Sequence, residues 1–239
     1  MCLTTVKGQS LSGVKLFAGL DLEARDAIAR LCRGAEFEEG EVLVGHKDTD
    51  RDVFFILSGE VTISAMSVNG KRVAYHDKQA GDMVGELAAI DGQPRSALVK
   101  AKTNCQTAYV SQHDFMRIMA DYPDVSVRAM QYLAGQIRNL SARVFEFGAL
   151  CVNDRIHVEL LRYAMTADTR DTCPVIAPAP THADIACRVS THREAVTREL
   201  NRLAREGVLQ KEKDAIVVSD LSRLEQMVSN SLGDVPRMH

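Results

Sequence analysis

The sequence predicts an α+β chain in which an N-terminal β-roll is followed by one long helix and a C-terminal winged helix-turn-helix. Three observations carry that prediction. Short apolar runs broken by turn residues fill the stretch from Phe37 to Val110. A heptad pattern runs from Met130 to Cys151. Two capped helix starts lie close together between Thr181 and Glu194. A chain of 239 residues suits two domains, and the expected divisions are 1–125 for the β-roll, 126–151 for the long helix and 152–239 for the winged helix.

The elements follow in order. Residues 10–34, with Leu11, Val14, Leu16, Phe17, Leu20, Ile28 and Leu31, read as flanking helices. Val42–Val44, Val53–Leu57, Val61–Ile63, Arg72–Tyr75, Ala97–Val99 and Thr107–Val110 read as strands, with turn signals at Ser58-Gly59, Asn69-Gly70 and Asp91-Gly92. Many short strands at this spacing suggest an antiparallel roll or barrel. Met130, Leu133, Ile137, Leu140, Val144, Phe147 and Cys151 then alternate spacings of three and four, the seam of a helix that pairs with a copy of itself. A homodimer is therefore expected, with a hinge near Cys151–Asp154 where the seam ends. Ile156, Leu160 and Leu161 begin a second helical region, and residues 168–180, holding Pro174, Pro178 and Pro180, read as a loop.

Thr181 with Asp184, and Thr191 with Glu194, each have the spacing of a helix N-cap and its acidic partner. Two helices started so close together make a helix-turn-helix. On the second, Val196, Leu200 and Leu203 form the buried stripe, while Arg193, Glu194, Thr197 and Arg198 face the other way. Arg suits guanine O6 and N7, and Glu accepts from cytosine N4. Lys211 to Val218 can form a two-stranded wing whose Lys211 and Lys213 reach phosphate.

Composition excludes several alternatives. Hydrophobic residues are 46% and charged residues 26%, the balance of a soluble globular protein. Val53–Leu57 is far too short to span a bilayer, and the N-terminus carries no apolar run of leader length, so a cytoplasmic protein with no membrane contact is expected. A net charge of −3 is not that of a general nucleic-acid binder, so DNA contact must rest on a local patch. The six cysteines form no Cys-x-x-Cys pair, which argues against a metal site or a disulfide framework. No nucleophile is paired with a base, and an enzyme is not expected.

The most informative run is Gly81–Ala97. Gly85 lets the backbone approach a ligand closely. Glu86-Leu87-Ala88-Ala89 can form a helical turn whose free N–H groups point at an anion. Arg95 supplies a planar cationic fork for phosphate, Ser96 adds a hydroxyl, and Glu86 can accept from a ribose hydroxyl. Gly85-Glu86-Leu87 followed by Pro94-Arg95-Ser96-Ala97 resembles the phosphate-binding cassette of cyclic-nucleotide-binding domains. With the heptad helix and the helix-turn-helix in that order, nearly the whole chain resembles the cAMP receptor protein/fumarate–nitrate regulator family. Arg193, Glu194 and Arg198 match the base-contacting positions of its cAMP receptor branch, and the clustered N-terminal cysteines of the fumarate–nitrate branch are missing.

The resemblance implies a homodimeric transcription regulator with cAMP and/or cGMP as effector. It further implies a pseudo-palindromic double-stranded DNA site with a TGTGA-like core, and RNA polymerase as a partner. Two alternatives remain: a regulator of the same fold sensing another signal, and a cyclic-nucleotide-binding module controlling a partner protein. The chain departs from the family at the base. Where the cAMP receptor branch places two adjacent hydroxyl residues on the dimer helix against adenine, this chain has Leu140 and Ser141. Leu140 cannot hydrogen-bond the 6-amino group, so discrimination between cAMP and cGMP is expected to be weak, unless Tyr75 or Lys78 faces the base.

Overall fold

The computed structural model describes residues 6–66 and 72–232, and the Asn69-Gly70 turn lies outside them. The chain divides into two compact units at Gly135–Gln136.

The first unit is built on two four-stranded antiparallel sheets. One runs β1 (Arg33–Phe37), β8 (Cys105–Val110), β3 (Val53–Ser58), β6 (Met83–Val84), and the other β2 (Val42–Val44), β7 (Leu98–Ala101), β4 (Glu60–Met66), β5 (Arg72–Gln79). Their facing sides share a core of Leu43, Val44, Phe54, Ile56, Val61, Val84, Val99 and Ala101. The outer face of the first sheet buries Val53, Phe55, Met83, Ala108 and Val110 against Leu11, Phe17 and Ile28 on the N-terminal side and Phe115, Ile118 and Val125 on the C-terminal side. Strand β3 thus has apolar neighbours on both faces. Side chains alternate along a strand, so a strand buried twice must be apolar throughout, which accounts for the run Val53-Phe54-Phe55-Ile56-Leu57.

Helices flank the roll. Residues 10–34 are not simply helical: two short 3₁₀ turns, Gly8–Leu11 and Lys15–Phe17, precede α1 (Leu22–Ala29), and β1 begins at Arg33, pairing with β8 from Arg33↔Tyr109 to Phe37↔Cys105. Asp21 caps α1 by accepting from the Ala24 amide at 2.8 Å. Strand β5 is longer than its apolar residues predict. His76-Asp77-Lys78-Gln79 continue the ladder against Ile63 to Glu60, and the Thr62 hydroxyl donates to Asp77 at 2.9 Å. As an edge strand β5 tolerates polar residues there. Beyond α2 (Glu86–Asp91) and α3 (Gln112–Asp121), α4 covers Pro123–Ala149. Exposed on it are Met130, Ile137, Leu140, Val144 and Phe147, most of the predicted seam.

The second unit holds α5 (Val152–Thr166), α6 (His182–Arg188), α7 (Arg193–Arg205) and α8 (Leu221–Leu232) around Ile156, Leu160, Ile185, Val196, Leu200 and Leu203. The expected loop at 168–180 contains two strands, β9 (Asp168–Arg170) and β10 (Cys173–Ile176). With β11 (Leu209–Lys211) and β12 (Ile216–Val218) they form one sheet, ordered β11-β12-β10-β9. Proline cannot donate to a ladder, and Pro174 sits where β10 pairs with β9 alone, while Val175 pairs with both β9 and β12 and Ile176 with β12. The wing is therefore a four-stranded sheet and not a lone hairpin.

Phe55 is fully buried and meets Phe17 edge-on, with ring centroids 4.9 Å apart. Phe55→Ala should remove about 3–5 kcal/mol from the first unit, measured as a lowered midpoint in urea denaturation followed by circular dichroism.

Candidate functional site

Strand β6 is followed by Gly85, at the N-cap of α2, whose φ of +88° belongs to the left-handed region that glycine enters without strain. A Cβ there would stand 2.5 Å from Arg95 Nη1 and 2.7 Å from the Asp52 carbonyl oxygen. Both conformation and space demand glycine. Glu86 opens α2, which stops at Gly92 in a second left-handed conformation. Leu87, on the same turn, is exposed.

Arg95 is only 2% exposed. Its Nε and Nη2 donate to the two carboxylate oxygens of Asp50 at 3.3 and 2.6 Å; Nη2 also donates to the Asp52 carbonyl at 2.7 Å, and Nη1 to the Gly85 carbonyl at 2.8 Å. The backbone is clamped as well: the Arg95 amide donates to Asp48 O, and the Lys47 amide donates to Arg95 O, each at 3.0 Å. The β2–β3 loop thus wraps the cassette arginine. Sequence reading singled out Arg95 and missed Asp50. The signal was the acidic alternation Asp48-Thr49-Asp50-Arg51-Asp52, which nothing local ties to Arg95. Ser96 is exposed beside it.

Glu86 is buried. Burial pushes its carboxyl above the ordinary carboxylate value, opposed by its own backbone N–H, Lys78 and Arg95. Lys78 on β5 is buried too, and burial pulls its ammonium down against the pull of Asp82 and Glu86. The Lys78 ammonium lies 4.6 Å from the centroid of the Tyr132 ring, whose hydroxyl donates to Met83 O at 3.1 Å. Gly85, Glu86 and Arg95 are brought together, with Lys78 and Asp50 added. Tyr75 is partly exposed on β5. Leu140 and Ser141 belong to the second unit, where Leu140 is exposed and the Ser141 hydroxyl donates to Ile137 O at 2.9 Å.

In the second unit, Thr181 caps α6 as expected: its oxygen accepts from the Asp184 amide at 3.1 Å, and its hydroxyl donates to the Asp184 carboxylate at 2.6 Å. The matching device at Thr191–Glu194 does not form. Helix α7 starts at Arg193 behind His192, without a side-chain cap. Ser190, at φ +53°, turns the chain tightly, and the Thr191 amide donates to Ala186 O at 2.9 Å. Val196, Leu200 and Leu203 are buried, while Arg193, Glu194 and Arg198 are exposed. Thr197 is half-buried. Its hydroxyl donates to Arg193 O at 3.0 Å, and its oxygen lies within hydrogen-bond distance of His182 Nδ1, at 2.7 Å. Burial, then Lys211 and Arg193, pull the His182 imidazole below its ordinary value. Lys211 on the wing donates to Asn201 at 2.7 Å, and Lys213 is exposed.

Buried ion pairs fix α7 behind this face. Glu199 accepts from Arg202 and meets His157 Nε2 at 2.6 Å. Buried Glu159 on α5 faces Arg143 of α4 at 3.1 Å, Arg162 at 3.2 Å and Arg188 of α6 at 3.7 Å, and Glu146 pairs with Arg162. The Arg143 guanidinium also donates to Arg188 O at 3.2 Å. Sequence periodicity placed none of these partners.

Among the described residues no cluster of three or more histidine, cysteine or acidic side chains could hold a metal, and no helix is long and apolar enough to cross a membrane. Residues 35–122 match the family model of the cyclic nucleotide-binding domain, and residues 155–227 that of the Crp-like helix-turn-helix domain. The cAMP-activated global transcriptional regulator CRP of Salmonella typhimurium is 27% identical over 188 residues, covering 78% of this chain and 90% of the relative. The CRP-like cAMP-activated global transcriptional regulator of Mycobacterium tuberculosis is 23% identical over 215 residues, covering 90% and 96%. Among solved structures, a CooA mutant from Carboxydothermus hydrogenoformans superposes with a TM-score of 0.76 at 18% identity, covering 95% of this chain and 98% of that one. The c-di-GMP responsive regulator CLP of Xanthomonas campestris gives 0.75 at 18% identity, covering 84% and 100%.

The raised carboxyl of Glu86 means that folding disfavours its ionised form. The resulting cost is absent below the unfolded value, grows as pH rises through it, and levels off above the folded value. Glu86→Gln should therefore raise the thermal midpoint of the nucleotide-free protein at pH 7, and the gain over wild type should vanish toward pH 4. Calorimetric melts across that range check it.

Proposed function

This chain belongs to the cAMP receptor protein/fumarate–nitrate regulator family of transcription regulators, and on that footing we propose that it is a DNA-binding regulator whose cassette takes both cAMP and cGMP as effector. The observation that carries the reading is the constellation of Gly85 with buried Glu86 and Arg95 inside the stretch matching the cyclic nucleotide-binding model. In this reading Arg95 and Ser96 hold the cyclic phosphate, the N-terminal turn of α2 through Leu87 offers backbone N–H groups to it, and Glu86 accepts from the ribose 2′-hydroxyl. The relatives named as cAMP-activated support cAMP. Leu140, apolar where an adenine-reading hydroxyl would stand, supports a site that also admits guanine.

The protein acts as a cytoplasmic homodimer. Its pairing surface is the apolar face of α4, where Met130, Ile137, Leu140, Val144 and Phe147 are exposed along one heptad seam. An isologous dimer presents two recognition helices to a pseudo-palindromic operator, with Arg193, Glu194 and Arg198 reading base edges and Thr197 beside them. Nucleotide biases the arrangement of the DNA-binding domains through α4 and its Arg143 and Glu146 contacts, and the DNA-bound dimer engages RNA polymerase.

Titration calorimetry should return cAMP and cGMP affinities within about tenfold of each other, about 1.4 kcal/mol; a hundredfold preference would overturn dual recognition. Leu140→Thr should move the preference toward cAMP. Arg95→Ala should abolish nucleotide-dependent DNA binding while the protein stays folded and dimeric, as gel shift and sedimentation would report.

On the DNA side, Glu194→Ala should relax discrimination at one base pair of each half-site by about 1–3 kcal/mol. Binding selection on random duplexes measures this, and a selected pool of single, unpaired half-sites would contradict the dimer reading.

A further inference from the structure

The Nε–Nη2 edge of a guanidinium is a face on which a phosphate is held by two parallel hydrogen bonds. In this chain that edge of Arg95 is taken by Asp50, with one carboxylate oxygen on each nitrogen. Among the described residues the Asp52 and Gly85 carbonyls engage two further N–H groups, and a single one on Nη1 remains. We propose that Asp50 is a tethered competitor of the nucleotide phosphate at Arg95, and that it sets the nucleotide concentration at which the cassette fills. The inference rests on the nucleotide reading of the cassette and concerns how that site is regulated.

The asymmetry of the pair identifies which partner yields. Arg95 is 2% exposed, whereas the Asp50 side chain is 49% exposed. Arg95 is also held independently of Asp50, by the two carbonyls and by its backbone bonds to Asp48 and Lys47. The guanidinium therefore keeps its place when the carboxylate leaves, and the carboxylate has water to leave into. The backbone clamp at Lys47 and Asp48 meanwhile keeps Asp50 within reach, so a departed carboxylate returns as an intramolecular ligand at high effective concentration. Incoming phosphate exchanges one charge-assisted pair for another, and the net gain in binding is smaller than a vacant arginine would give. A Gly85 side chain would displace the same guanidinium, so the glycine and the aspartate act on one group from opposite sides.

The test is calorimetry with cAMP and with cGMP on the full chain carrying Asp50→Ala or Asp50→Asn, and on each change combined with Arg95→Ala. Asp50→Ala should bind at least one nucleotide about tenfold or more tightly than wild type, and Asp50→Asn, with its shape kept and its charge gone, should gain in the same direction. In the Arg95→Ala background neither change should give a gain, which separates competition at Arg95 from a general effect of loop charge. Should Asp50→Ala fail to fold, Asp50→Asn carries the same comparison. If wild type binds nucleotide and the Asp50 variants bind equally or more weakly, Asp50 orients Arg95 and the inference falls alone. If neither wild type nor the variants bind either nucleotide, the nucleotide reading falls and takes the inference with it. Binding by the variants with none by wild type would support both.

Discussion

A guanidinium buried to 2% exposure must have its N–H groups satisfied, and the organisation of the first unit follows from that need at Arg95. Gly85 leaves the space that a Cβ would take from Nη1, and its carbonyl accepts from the same nitrogen. The β2–β3 loop closes over the other side, supplying the Asp52 carbonyl, the Asp50 carboxylate and two backbone bonds. Two stretches far apart in sequence, the β2–β3 loop and the Gly85–Arg95 segment, are thus joined around one cation. A guanidinium held by this many partners is positioned by the fold itself, and a group fixed in that way pays little ordering cost if it engages a ligand.

Glu86 shows the opposite side of the same design. A buried carboxyl held above its ordinary value costs stability at neutral pH. Its neighbours Lys78 and Arg95 offset part of that cost without removing it, and Lys78 is itself desolvated over the Tyr132 ring. Functional sites commonly keep such a charge, because an acceptor in a dry pocket binds a ligand hydroxyl more strongly than one in water.

In the second unit buried ion pairs hold α7 and the helices packed with it. Glu199 faces inward to His157 and Arg202, while Glu194 and Arg198 on the same helix face outward. Glu159 gathers Arg143 from α4 and Arg188 from α6. Breaking such a pair strands an uncompensated charge, so displacement at the end of α4 is opposed directly at the helix-turn-helix. The pairs thus tie the end of α4 to α5 and to α6, the first helix of the helix-turn-helix.

What the sequence determined by itself are features carried by local pattern. The doubly buried strand at Val53–Leu57, the heptad seam of α4, the Thr181 cap, the inward stripe of α7 and the Gly85…Arg95 cassette all depend on neighbours within a turn or two, and hydrophobic period and capping chemistry report those directly. Tertiary structure decided the rest. Strands β1, β9 and β10 lack a strong apolar period or carry proline; β1 and β10 exist because a distant strand offers them a ladder, and β9 because β10 is then in place beside it. Thr191 makes no cap because α7 starts one residue later than its spacing predicts, with His192 at the N-cap position. The partners Asp50 for Arg95, His157 for Glu199 and His182 for Thr197 are separated by 45, 42 and 15 residues. A buried charge announces in the sequence that it requires a partner, but which one it finds depends on which loops the fold brings beside it.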